Sequence, residues 1–61
     1  MYYAERTSNG VTVYDERNSP HMAISTGSDM VSYNLSGTVL VISYSSGRNE
    51  VYDVERNSRI R

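Results

Sequence analysis

The amino-acid sequence predicts a single all-β domain over residues 1–61, built as a small antiparallel meander or barrel of about five to six short strands. Apolar and polar residues alternate with period two in most segments, which sends successive side chains to opposite faces of a strand. Turn-forming residues separate these segments every ~8–12 residues. The one helix candidate, residues 28–35, is rich in poor helix formers, so the helical alternative is weak.

Six segments have the composition of strands. In chain order they are Tyr2–Thr7, Val11–Asp15, His21–Ser25, Met30–Leu35, Thr38–Tyr44 and Glu50–Glu55. The fifth segment is apolar on both faces and uncharged, so we expect a central strand, covered on one side by its own chain and on the other by something else. Residues 57–61 are expected to form a frayed tail.

Short turn motifs connect the predicted strands. Asn9-Gly10 predicts a type I′ hairpin turn, which needs positive φ at both central residues. Pro20 ends the pairing of its strand, because proline has no amide proton to donate to a ladder. Gly37 and Gly47 mark two later breaks. Such tight connections are typical of strands that pair with their sequence neighbours.

A seven-residue pattern occurs twice in the chain. Residues 13–19 read VYDERNS, and residues 51–58 repeat them in order with Val54 inserted. In the simpler interpretation each copy is a strand that runs out into a turn. The alternative is a pair of equivalent tyrosine and arginine edges. One inserted residue reverses the face of every residue after it unless a bulge absorbs the change.

The charge balance excludes several classes of protein. Six arginines and seven acidic residues give a net charge of −1, whereas proteins that bind nucleic acid without sequence preference usually have a clear basic excess. The chain has no cysteine and one histidine, so disulfides are impossible and we expect neither a structural metal nor a cofactor. The chain has no cysteine, no signal-peptide pattern and no long apolar stretch. These three absences predict a cytoplasmic protein with no membrane partner.

The small size of the chain points to self-association. A domain of 61 residues usually needs disulfides, a metal or a partner subunit for stability, and the composition leaves only the last of these. Residues 30–47 contain no charge, and an exposed uncharged strand within them would tend to pair with another chain. We therefore expect a homo-oligomer.

No catalytic motif is complete, so we expect a protein that is not an enzyme. His21 is the one side chain that ordinarily titrates near neutral pH, and it reads as a partly exposed loop histidine. Arginine and tyrosine combine a flat face with hydrogen bonding and are enriched in contact surfaces. The candidate residues for binding a protein or an anion are Tyr14, Arg17, Arg48, Tyr52, Arg56 and Arg59. Two further tyrosines, Tyr33 and Tyr44, are assigned to the core.

Two functions fit these residues. The first is a non-enzymatic binding module, such as an adaptor, an assembly subunit or an inhibitor, that acts through protein–protein contacts and self-association with a partner of unknown identity. Phages and mobile elements encode many domains of this size. The alternative is the binding of a nucleotide or single-stranded nucleic acid, in which the C-terminal arginines contact phosphates and the strand tyrosines stack on bases.

Residues 25–54 contain a longer pattern. It has a serine-rich start, a Tyr-Asp-like pair, a strand of alternating apolar residues, a Ser-Gly-like turn and an aromatic strand that ends in valine. The matching residues are Ser28, Met30, Ser32, Tyr33, Asn34, Leu40, Ile42, Tyr44, Ser46, Gly47, Tyr52 and Val54. This half of the chain resembles the KTSC domain, a small domain found alone or appended to some lysyl-tRNA synthetases. The resemblance implies a small α+β or β module.

Overall fold

The computed structural model describes all 61 residues and contains seven strands and one turn of 3₁₀ helix at Gly27–Asp29. The strands are β1 (Tyr3–Thr7), β2 (Gly10–Tyr14), β3 (Pro20–Ser25), β4 (Met30–Ser36), β5 (Val39–Tyr44), β6 (Asn49–Asp53) and β7 (Ser58–Arg59). All six predicted strands are confirmed to within two residues at each end. The seventh, β7, was not predicted, because two residues are too few to show alternation. The chain has no helix of the length and apolarity needed to cross a membrane.

The strands form two antiparallel sheets. The first sheet has the order β1-β2-β3 and the second has the order β4-β5-β6-β7, so each is a meander of sequence neighbours. The predicted meander is confirmed, and the predicted barrel is wrong. A barrel needs an unbroken cycle of paired strands, whereas β4 pairs only with β5 and the 3₁₀ turn carries the chain from one sheet to the other.

The apolar faces of the two sheets share one core. Its eight buried residues are Val11, Val13, Met22, Met30, Leu40, Ile42, Tyr44 and Val54. In β5 the alternation is clear, because Leu40 and Ile42 are fully buried while Val39, on the other face, is 40% exposed. The chain itself therefore covers one face of this strand, as expected, and leaves the other face partly exposed, with Val41 and Ser43 half-buried.

A β-bulge adjusts β4 to the core. Tyr33 and Leu35 pack against the core, and strict alternation would place Met30 on the opposite face. The register shifts between Met30 and Ser32, and the extra residue, Val31, is exposed. Because a bulge inserts one residue without a partner, it returns Met30 to the buried face.

The β1–β2 turn differs from the prediction. Neither Asn9 nor Gly10 has positive φ, so a type I′ turn at these residues is wrong. Gly10 is instead the first residue of β2, where it pairs with Ser25. A Cβ atom on Gly10 would overlap the carbonyl oxygen of Ile24. Glycine is needed here because the backbone of β3 approaches closely, and no special φ is involved.

Three other hairpins share one turn design. In each, the amide of the fourth turn residue donates to the carbonyl of the first, and that fourth residue is left-handed. These residues are Asn18 (φ 66°), Gly47 (φ 89°) and Asn57 (φ 54°). Glycine and asparagine are the residue types that tolerate this conformation. The turns close β2–β3, β5–β6 and β6–β7.

Both copies of the repeated sequence therefore end a strand and form a turn. In the first copy Asp15 begins the turn and accepts the amide of Asn18 at 2.9 Å. In the second copy the inserted Val54 begins the turn and accepts the amide of Asn57 at 3.1 Å. Val54 is fully buried. The inserted residue thus supplies a core side chain where the first copy has a polar one.

Candidate functional site

A carboxylate lies on the buried face of the second sheet. Glu50 pairs with Ile42 in the β5–β6 register, and its side chain is only 9% exposed. Removing a charge from water is costly unless hydrogen bonds and opposite charges compensate for the lost hydration. The residues around Glu50 supply both.

Two phenols donate hydrogen bonds to one oxygen of this carboxylate. The Tyr44 hydroxyl donates to Glu50 Oε1 at 2.6 Å, and the Tyr52 hydroxyl donates to the same atom at 3.0 Å. Tyr44 is buried at the end of β5, and Tyr52 is half-buried two residues after Glu50 on β6. The strand period places both rings on the face that carries Glu50.

Two arginines face the other carboxylate oxygen. Arg59 Nη1 lies 3.5 Å and Arg48 Nη2 lies 3.8 Å from Glu50 Oε2, and their side chains are 55% and 61% exposed. β7 positions Arg59, which pairs with Tyr52. The Arg48 guanidinium also lies 4.6 Å from the centre of the Tyr44 ring, in a cation–π contact. We call Tyr44, Arg48, Glu50, Tyr52 and Arg59 the Glu50 cluster.

The contacts fix the protonation states in this cluster. The hydrogen bond from Tyr44, with help from Tyr52 and the two arginines, lowers the pKa of Glu50 although burial acts in the opposite direction. Burial, followed by the hydrogen bond to Glu50, raises the pKa of Tyr44 to about 12. Burial also raises the pKa of Tyr52. The carboxylate is therefore ionised and both phenols are neutral at neutral pH.

The structure brings together three of the six predicted binding residues, namely Arg48, Tyr52 and Arg59. Arg56 lies apart, where its Nε is 3.8 Å from Asp53 Oδ2.

The remaining two predicted binding residues lie at the first sheet. The Tyr14 ring stacks on Tyr3 at 5.2 Å. Arg17 lies in the first repeated turn, where its amide donates to Asp15. The two copies of the repeat consequently present different surroundings, because Tyr14 stacks on a ring whereas Tyr52 binds a carboxylate.

His21 joins the two sheets. It lies in β3, and its Nε2 is 2.6 Å from the carbonyl oxygen of Val54. A carbonyl only accepts, so Nε2 donates in this contact. The ring also packs against Tyr2 at 4.9 Å between centroids. His21 is thus a half-buried residue at the start of β3, as the third predicted strand implied, and it does not lie in a loop. It holds the first sheet to Val54, the residue after β6.

Sequence reasoning missed Glu50 as a site residue. Its strand carries apolar or aromatic residues on both faces, with Val51 on one and Tyr52 on the other, so alternation did not show which face is buried. The available signal was Tyr44, which was correctly assigned to the core. A buried tyrosine needs a partner for its hydroxyl, and a carboxylate six residues away across one hairpin could supply it.

A second candidate surface is the outer face of the second sheet, which points away from the core. Val41 and Val51 are cross-strand partners there, and the Ile60 amide continues the row by donating to the Val51 carbonyl at 2.7 Å. Val39 and Ile60 are 40% and 55% exposed. The one charged strand residue on this face is Asp53, which forms an ion pair with Arg56.

No protein-family model, no curated protein and no solved structure matches this chain. No site residue can therefore be carried over from a relative.

Proposed function

We propose that this protein is a non-enzymatic binding module that acts through protein–protein contacts and associates with a second copy of itself. The outer face of the second sheet carries this proposal. It presents Val39, Val41, Val51 and Ile60 side by side; Val39 and Ile60 are exposed, and Val41 and Val51 are half-buried. Apolar surface of this kind, bordered by serine and asparagine, is typical of an interaction site.

A second copy fits this face because the face is electrically neutral. In a two-fold dimer each patch meets its own copy, so a charged patch would meet the same charge. Asp53 is the one charged strand residue on the face, and its ion pair with Arg56 already compensates it. Two copies can therefore approach without like-charge repulsion.

The size of the face supports weak association. Four strands ~4.8 Å apart and about five residues long cover roughly 19 by 17 Å. Allowing for side-chain relief, each copy would bury on the order of 500 Å², which puts the dimer near the lower limit of about 1,000 Å² for a specific interface. We expect a dissociation constant in the micromolar range or weaker.

The polar groups of the chain support binding rather than catalysis. His21 is engaged with the Val54 carbonyl, and Glu50 has one oxygen on two phenols and the other facing two arginines. General acid–base catalysis needs a group that can exchange a proton with a substrate. Both groups instead hold the structure together.

Nucleotide or single-stranded nucleic-acid binding is the second candidate. One observation favours it, since half-exposed Arg48 and Arg59 converge beside Tyr52. We rank it lower because Glu50 neutralises half of that positive charge. In this case Arg59→Ala should weaken binding of a labelled oligothymidylate, and the affinity should fall steeply with salt. Binding that is absent or independent of salt would remove this candidate.

We propose that residues 25–54, which run from the last residue of β3 through the 3₁₀ turn, β4, β5 and β6, are a KTSC-like unit, and this assignment adds no activity. We also propose a cytoplasmic location, since the chain has no cysteine of the kind that oxidising compartments pair.

Light scattering from about 10 μM to about 1 mM protein tests self-association. The unaltered chain should shift from monomer to dimer, and Val41→Glu or Ile60→Glu should keep it monomeric by placing a charge against its own copy. Ala23→Glu is the matched control, because Ala23 is exposed on the first sheet. A chain that stays monomeric throughout, or Val41→Glu and Ile60→Glu variants that still dimerise, would disprove the proposal.

A further inference from the structure

We propose a second interaction site at the open edge of β4, which takes up an extended, basic segment of a partner protein as an added strand. Unpaired strand edges attract other strands, and proteins protect them with charges, proline or short length. Three of the four edges have such protection. β1 carries Glu5 and Arg6, β3 begins with Pro20, and β7 has only two residues.

β4 is the unprotected edge. It is the longest strand, with seven residues, and it contains neither proline nor a charged residue. It pairs with β5 on one side, and every second residue of an antiparallel edge strand directs its N–H and C=O groups outward. Arg6 donates to the Met30 carbonyl at 3.5 Å and so occupies the first residue of this edge. No backbone group from Ser32 to Ser36 bonds to any segment other than β5, so this stretch can accept an incoming strand.

A cleft of about 530 Å³ lies at the far end of this edge. The residues that line it are Met1, Tyr2, Leu35, Gly37, Thr38 and Glu55. Leu35 belongs to β4 itself, so a strand added along the edge would carry one of its side chains into the cleft. Peptides that add to a sheet gain affinity from the backbone and specificity from such side-chain pockets.

Charge identifies the side chain that fits. Glu55 is the one charged side chain in the cleft, and neither Glu55 nor the α-ammonium group of Met1, which also lines the cleft, takes part in the three ion pairs of the chain. Tyr2 and Leu35 add apolar wall. A side chain with an apolar stem and a cationic end fits both the apolar wall and the Glu55 carboxylate, and arginine and lysine have this form. A second copy fits less well, because its own β4 would bring no cation to Glu55.

The site can be tested with a labelled, end-blocked peptide of alternating threonine and valine that carries one arginine near its end. In NMR spectra of the protein, the changes in backbone amide chemical shift on addition of the peptide should be confined to β4 and the cleft. N-methylation of every second peptide amide, in the set that faces β4, should abolish binding, because it removes the hydrogen bonds between the two strands. Glu55→Gln should weaken binding about 3- to 5-fold, the range of an exposed ion pair. Glu16→Gln, at the same position in the other copy of the repeated turn, should leave the affinity unchanged.

Charge exchange sharpens the result. Glu55→Arg should reject the arginine peptide and bind a peptide with glutamate in its place. Absence of binding at about 1 mM peptide, or equal binding of the methylated peptide, would overturn the proposal. Shifts at β4 that appear only as dimers dissociate would assign the edge to a second copy and also overturn it. Light scattering on Val41→Glu reports the outer face separately, so the two proposals can fail independently.

Discussion

The inner face of the second sheet has two halves that are buried in different ways. Leu40 and Ile42 are fully buried in the core that the two sheets share. Their cross-strand neighbours on β6 are Tyr52, which packs against the edge of that core, and Glu50, which is covered by phenol and guanidinium groups. The first sheet has three strands and the second has four, so one layer is narrower than the other. The comparison shows how a short chain buries the part of the second sheet that the narrower first sheet does not cover.

The two halves should contribute differently to stability. Burial of apolar surface stabilises a fold by roughly 25 cal/mol/Å², with no charge to dehydrate. In the polar half, the attraction of Glu50 to its partners is largely offset by the cost of removing the carboxylate from water. Breaking contacts in the apolar half should therefore have the largest effect.

Leu40→Ala should lower the free energy of unfolding by about 3 kcal/mol, because it leaves a cavity in the core. A loss of this size is a large fraction of the stability of a small domain. Denaturant unfolding followed by circular dichroism measures it. Val39→Ala, the preceding residue on the exposed face, is the control and should cost less than about 1 kcal/mol. Equal losses for the two variants would contradict the division of β5 into a buried and an open face.

Glu50→Gln should cost about 1–2 kcal/mol, because a neutral amide accepts weaker hydrogen bonds from the phenols and loses both arginines. The pKa of Glu50 is lower in the folded chain than its ordinary value of 4.5. Its contribution is therefore present above pH 4.5 and is lost as the pH falls through the lower folded value. The variant should show a smaller loss of stability in acid than the unaltered chain. Glu55→Gln, in an exposed turn, should keep the full acid dependence.

The apolar half could be predicted from the sequence, and the polar half could not. Leu40 and Ile42 lie in a strand whose length, branching and lack of charge indicate burial without reference to any partner. Glu50 is buried only because Arg48 and Arg59 reach it from a turn and from β7, and β7 is too short to be seen in the sequence.

Gly10 shows a related limit. Its sequence context predicts a turn, and its actual role depends on the position of Ile24 in the neighbouring strand. Local pattern thus predicted the strands and their meander order. The contacts between distant segments, which decide where the polar groups lie, required the structure.

Tyr44→Phe should have the smallest effect of the three at neutral pH, about 1 kcal/mol, because it removes one hydrogen bond and retains the ring. Its alkaline behaviour is more distinctive. The pKa of Tyr44 rises from 10.0 to about 12 on folding, so its contribution is complete below pH 10 and is lost as the pH rises towards 12. The unaltered chain should lose stability over that interval, and the variant should lose less.

Phenolate absorbance, recorded against pH with and without denaturant, measures the titration of the tyrosines. Compared with the unaltered chain, folded Tyr44→Phe should have one tyrosine fewer among those with a raised pKa. Tyr33→Phe is the control, since the Tyr33 hydroxyl makes no hydrogen bond within the chain that this substitution could remove. An alkaline profile of Tyr44→Phe that matches the unaltered chain would mean that the phenol–carboxylate contact does not stabilise the polar half.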